Sequence, residues 1–103
     1  MRVEWKDKAE WNLHQIEAYI FDRFGPDSLE HFLEEVEKTV GMLMRFPNSG
    51  KIDPLFADRS ITYRSVVISG LSKLVYYVED DTIHIAAFWD CRREPKNQAA
   101  QTR

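Results

Sequence analysis

The sequence predicts an α+β domain in two layers: a short amino-terminal strand, an antiparallel hairpin of two helices, and an antiparallel β-meander packed against it. Two observations predict this. Apolar residues recur at helical spacing through residues 7–46, and three β-branched, aromatic runs separated by turn residues occupy 61–90. A chain of 103 residues is one domain with one core, and its 44% hydrophobic and 13% aromatic content is too rich for disorder.

The first element is the strand Val-Glu-Trp, within residues 2–5. Asp7 and Glu10 then form a capping-box pattern, in which a side-chain oxygen accepts from the first free N–H groups of a helix. Ala9, Leu13, Ile16, Ile20 and Phe24 lie on one face of that helix, predicted over 7–24, and Gly25 and Pro26 stop it. Asp27 and Glu30 repeat the capping pattern, and Leu29, Phe32, Leu33, Val36, Val40 and Leu43 make the stripe of a second helix over 27–46. The four-residue break Gly-Pro-Asp-Ser turns the second helix back on the first. After Pro47, Asn48 and Gly50 the chain is irregular to about Arg59. Strands follow at 61–68, 72–79 and 82–90, joined by Ser-Gly and Glu-Asp-Asp-Thr turns. The core expected from these patterns contains Leu13, Ile16, Ile20, Phe32, Val36, Val40, Leu74, Tyr76, Ile83 and Ile85. The domain is expected over 1–95, with a polar tail over 96–103.

Charge narrows the functional classes. The net charge is −3, where a protein that coats nucleic acid would be basic. The halves differ: residues 1–50 carry a net −4 and residues 51–103 a net +1. Three of the acids in the second half stand together at Glu79–Asp81, so the rest of that half is basic. A single cysteine forms no internal disulfide and fits a reducing compartment. The first residues hold no apolar signal core and no run reaches membrane-spanning length, so the expected location is cytoplasmic and no membrane partner is expected.

Most chemical signatures are weak. Cys91 adjoins Arg92 and Arg93, which favour a thiolate, but its nearest histidine in sequence, His84, would sit ~20 Å away along an extended strand. Cys91 is read as a strand-end filler. His31 with Glu34 or Glu35, and His14 with Glu10 or Glu17, have helical spacing but supply two ligands each, so no metal and no cofactor are expected. The four glycines form no phosphate loop. Trp5, Trp11 and Trp89 are read as packing residues before nucleobase stackers. The basic set is Lys51, Arg59, Arg64, Lys73, Arg92 and Arg93. With Ser69–Gly70 as a two-residue turn, Arg64 faces Val75 and Lys73 faces Val66, which makes the two cations diagonal neighbours on one sheet face. A basic patch and a wet polar face with long side chains reaching water fit that spacing equally.

The run YRSVVISGLSKLVYYVEDDTIHIAAFWDCRREP, the order of elements, the FPNSG stretch and the closing Arg-Arg-x-Pro resemble the RelE/ParE superfamily of toxins from type II toxin–antitoxin modules. The resemblance covers nearly the whole chain and implies that superfamily's fold and a cognate antitoxin as partner. Its RelE-like branch cleaves mRNA on the ribosome without metal, using sheet cations and a tail tyrosine or histidine. By position Arg64, Lys73 and Arg93 match that set. Val66 stands where a second lysine is expected, and the tail NQAAQTR has neither tyrosine nor histidine. The ParE-like branch lacks the catalytic set and acts by binding DNA gyrase, and the long helical hairpin and Arg-Arg-x-Pro ending fit it better. The resemblance therefore implies a non-enzymatic toxin in which Arg92 and Arg93 contact a protein target. The alternatives are a metal-independent endoribonuclease and a non-toxic member that only binds its antitoxin. Sequence-specific DNA binding is not implied, and a homodimer stays open. An apolar groove between hairpin and sheet is expected to receive the antitoxin, with Trp11, Tyr19 and Phe88 as lining because they fall off the main stripes.

Overall fold

The computed structural model describes residues 1–54, 60–70 and 72–90. The element order is β1 (Arg2–Trp5), α1 (Asp7–Phe24), α2 (Pro26–Arg45), β2 (Lys51–Ile52), β3 (Arg64–Ile68), β4 (Ser72–Glu79) and β5 (Thr82–Asp90). Both helices and the three meander strands occur where periodicity put them. Expectations for Arg59, Cys91, Arg92, Arg93 and the tail, and the domain boundary at 95, lie outside the described residues.

The helix ends differ from the expected caps. Lys6 is the N-cap of α1 and makes no side-chain cap, so Asp7 is the first helical residue and acts with Glu10 as an acid in the first turn, favourable to the helix dipole. The break between the helices is one residue. Gly25, at φ 90°, ends α1 and starts α2, and Pro26 occupies the first turn of α2, where its missing N–H costs nothing.

The sheet has five strands in the order β1-β5-β4-β3-β2. The meander β3-β4-β5 is antiparallel, and β1 adds to its far edge parallel to β5, with Arg2 opposite Thr82 and Trp5 opposite Ile85. The sheet is therefore mixed. The two-residue β2 pairs with β3 and was not foreseen in the stretch read as irregular. Asp80 and Asp81, at φ 53° and 56°, form the two-residue turn between β4 and β5; two left-handed positions match the twist of a tight hairpin.

Two departures from simple alternation set which side chains share a face. Ile68 pairs with Ser72, so three residues connect β3 and β4, and Arg64 faces Tyr76 while Lys73 faces Val67. Arg64 and Lys73 therefore lie on opposite faces of the sheet, and the diagonal pairing expected from a two-residue turn is corrected. On β5, Ala86 is an extra residue between the Val75–Ala87 and Tyr76–Ile85 pairs. That bulge reverses the alternation and turns Phe88 to the same side as Ile83 and Ile85.

The main core lies between the helices and this face: Ala9, Ile20, Phe32, Val36 and Leu43 from the helices meet Ile68, Leu74, Tyr76, Ile83, Ile85 and Phe88. Seven of the ten expected core residues are buried, and Leu13, Ile16 and Val40 are half-buried against them. A smaller cluster of Val75, Ala87 and Trp89, with Tyr63 against it, lies on the opposite face. Among the described residues no helix is long and apolar enough to cross a membrane.

Candidate functional site

A groove runs along the carboxy-terminal half of α1 where that helix passes the ends of β4 and β5. One end is a cavity of ≈ 110 Å³ lined by Asn12, Gln15, Ile16, Tyr19, Ile20, Ser72 and Asp90. Past Ile20 it widens into a hollow of ≈ 400 Å³ against Phe24, Asp27, Ser28, His31, Phe32 and Ser69. The helix builds this wall because Gln15 and Tyr19 are one turn apart, and Trp11 extends the same row by one more turn. Phe24, at 61% exposure, remains largely open to water, and its ring meets Tyr19 edge to face at 6.4 Å. The Arg23 guanidinium covers the Tyr19 ring at 5.3 Å, which fixes the phenol by a cation–π contact. Asn12 is buried, and its Oδ1 accepts the Phe88 N–H at 3.2 Å, tying α1 to β5 at the floor of the groove.

Of the residues expected to line such a groove, Tyr19 does so. Trp11 is 59% exposed on the same helical row. Phe88 is 1% exposed and stacks on Trp5 at 5.6 Å, within the main core, so it offers no open surface. The β5 bulge is the reason. The sequence reading missed Asn12, His31 and Asp90. The signal for Asn12 was present: an amide one position before Leu13, on the packed side of α1.

The expected cations separate. The Arg64 guanidinium donates from one nitrogen to the Gly50 carbonyl at 2.9 Å and to the Asn48 carbonyl at 3.3 Å, holding the loop that follows α2. Lys73 Nζ lies 2.9 Å from Asp53 Oδ2; Lys73 is 16% exposed and Asp53 2%. Arg92 and Arg93 lie outside the described residues. Arg64 and Lys73 thus both engage partners within the domain, and the two share no face.

A polar cluster on the face that carries Lys73 was not anticipated. Glu4 pairs with Lys6 Nζ at 2.7 Å and with His84 Nδ1 at 3.1 Å. His84 Nε2 lies 3.3 Å from the Glu79 carbonyl, and the imidazole stacks on Tyr77 at 4.6 Å, with Tyr63 edge-on to Tyr77. The hydrogen bond from Lys6, then that from His84, holds the Glu4 carboxyl below the usual carboxylate range, and Glu4 raises the Lys6 ammonium in return. This cluster staples β1 to β5. Among the described residues no three His, Cys, Asp or Glu side chains converge on a metal position.

A family model described as "ParE toxin of type II toxin-antitoxin system, parDE" matches residues 3–95. No curated protein shows a significant sequence match. Among solved structures, a chain of the "Chromosomal ParDE TA system from P. aeruginosa" superposes with a TM-score of 0.70 at 19% identity, covering 87% of this chain and 95% of that one. At that identity the likeness shows the shared α+β fold.

Proposed function

The chain belongs to the ParE toxin family of type II toxin–antitoxin systems, and from that premise we propose that it acts by binding a protein target, DNA gyrase, and is silenced by a cognate antitoxin seated in the α1 groove. The observation that carries this reading against RNA cleavage is the separation of Arg64 from Lys73. Attack of a ribose 2′-hydroxyl on the adjacent phosphate builds negative charge at one centre. Cations that stabilise it must converge there, ready-placed and unpaired, while another group moves the proton. Here one cation serves two loop carbonyls and the other a buried carboxylate on the opposite side of the sheet. A phosphate bound at either would leave the other out of reach.

Target contact is assigned to Arg92 and Arg93, whose planar forks suit carboxylates and carbonyls of a protein surface. Antitoxin contact is assigned to Tyr19 and Trp11, with Phe24 and His31 at the wide end of the groove. An apolar hollow rimmed by serines and a histidine fits an extended segment that orders on binding. The test adds purified chain to two reactions, supercoiling by gyrase and translation on programmed ribosomes. Supercoiling is expected to fall, less so for Arg92→Ala and Arg93→Ala, and mRNA to stay intact. Site-specific cuts in mRNA with supercoiling unaffected would reverse the assignment.

A further inference from the structure

We propose that the outer face of the helical hairpin, away from the sheet, is a docking site for a basic amphipathic helix of a protein partner. Phe21 of α1 and Leu29 and Leu33 of α2 floor a shallow groove of ≈ 350 Å³, rimmed by Glu30, Glu34 and Glu37. Phe21 is 56% exposed, although α1 and α2 bury apolar residues elsewhere. Leu29 and Leu33 are half-buried, with one flank in the core and the other in the groove. The face is therefore continuous with the core through its own side chains.

Charge selects the occupant. Glu30, Glu34 and Glu37 stand at i, i+4 and i+7 on α2, an arrangement in which like charges repel along one row. None of the three has an ion-pair partner among the described residues. A second copy of this chain would bring the same carboxylates against each other across a two-fold axis, which argues against self-pairing. A helix carrying Lys or Arg beside an apolar stripe relieves the repulsion and fills the groove together. It would lie as a third helix on the hairpin. The carboxylate row spans ~10 Å, so an occupant of about three turns covers it. This surface is distinct from the α1 groove and does not depend on which target the toxin binds.

The test uses the full chain and two synthetic helical peptides of about 18 residues with identical leucine positions, one with Lys and Arg on its polar face and one with Glu and Gln. Calorimetry measures affinity, and amide chemical shifts locate the contact. The basic peptide is expected to bind, to shift amides of residues 21–37, and to weaken as salt rises, because its rim contacts are screened. Glu30→Lys, Glu34→Lys and Glu37→Lys together should weaken it by about tenfold or more, consistent with like-charge juxtaposition. These sites are exposed, and circular dichroism checks that the triple variant folds. Phe21→Ala, which removes an exposed ring only, should weaken binding while leaving its salt dependence. Equal binding of the acidic peptide, no binding of the basic one, unchanged affinity in the triple variant, or shifts mapping to the Tyr19 groove would each overturn the proposal.

Discussion

Tyr76 Oη accepts the Gly50 amide hydrogen at 3.0 Å and donates to the Pro47 carbonyl at 2.8 Å. One core phenol thus closes the loop that leads from α2 into the sheet. Burial pushes the Tyr76 phenol above its ordinary value, which keeps its proton for Pro47. The approach is too close for any residue but glycine at position 50. A Cβ there would stand 2.6 Å from Tyr76 Oη and 3.0 Å from the Ser65 carbonyl, a backbone atom that cannot swing aside.

Tyr76→Phe should therefore destabilise by about 1–3 kcal/mol, the cost of leaving a buried amide and a half-buried carbonyl unpaired. Gly50→Ala should cost a similar amount by forcing the loop off the phenol. The double variant should cost less than the sum, because both changes break one contact. Urea midpoints of the three variants measure this. An additive double variant would mean that the two residues act independently.

Lys73 and Asp53 should behave asymmetrically. Lys73→Met keeps the apolar stem but leaves a carboxylate that is 2% exposed without its cation, and should destabilise by ~1–3 kcal/mol, below the full buried-pair value because Lys73 reaches water. Asp53→Asn should cost less, since the freed ammonium can turn to solvent. Thermal melts of both variants decide the order.

What the sequence disclosed and what it hid divide by range. Stripes such as Leu13–Ile16–Ile20 and Phe32–Val36–Val40 are local and repeat, so both helices and most of the core were legible. Residues whose side was fixed by one backbone irregularity were not. Phe88 entered the core because Ala86 bulges, and nothing in IHIAAFWD marks which residue is extra. Arg64 and Lys73 parted because the β3–β4 connection takes three residues where Ser-Gly suggested two. The two residues of β2 were hidden because a strand that short has no period to read. The site expectations suffered most, since they rested on which face a side chain takes, and a one-residue slip inverts that.

The staple of β1 should open in acid. Glu4 is held below its usual range, so its contribution is fully present above the unfolded carboxylate value. It is lost as pH falls from the ordinary carboxylate range through the lowered value. Lys6, raised, contributes fully below its unfolded value and loses its share only as pH climbs through its raised one, far from the acid window. Hydrogen exchange at the Arg2 and Lys6 amides, which donate to the Asp81 and Ile85 carbonyls, taken relative to the intrinsic rate at each pH, should accelerate on acidification through that lower window in the native chain. In Glu4→Gln it should be faster at neutral pH and flatter across it. A native profile that matches the variant's would remove Glu4 from the strand's attachment.

Tyr19→Ala should weaken antitoxin capture without unfolding the chain. Its ring lines the groove and is half-buried, and the loss is mainly to the α1 surface. Phe24→Asp, at an exposed position, should do the same by putting a charge in the apolar hollow. Co-expression with the antitoxin and affinity capture in moderate salt should recover less complex from both variants, with melting temperatures within a few degrees of the parent. Full recovery would move the antitoxin site elsewhere.

Arg64 offers the sharpest separation of a structural from a catalytic role. Its guanidinium gathers the Gly50 and Asn48 carbonyls, and those bonds hold the same loop that Tyr76 pins. Arg64→Ala should loosen the loop and lower stability by about 1 kcal/mol or more, the worth of charge-assisted bonds partly open to water. Any loss of toxicity should then follow the folded fraction, and should recover when cells are grown cool or when the variant also carries a stabilising change elsewhere. A cation that stabilised a phosphorane-like transition state would behave otherwise: its loss would cost ~10²–10³ in rate at every temperature in fully folded protein. Toxicity measured against the melting curve of Arg64→Ala distinguishes the two. Cleavage of ribosomal mRNA by the native chain, lost in a folded and stable Arg64→Ala variant, would restore Arg64 to chemistry and remove the argument for a purely protein-binding toxin.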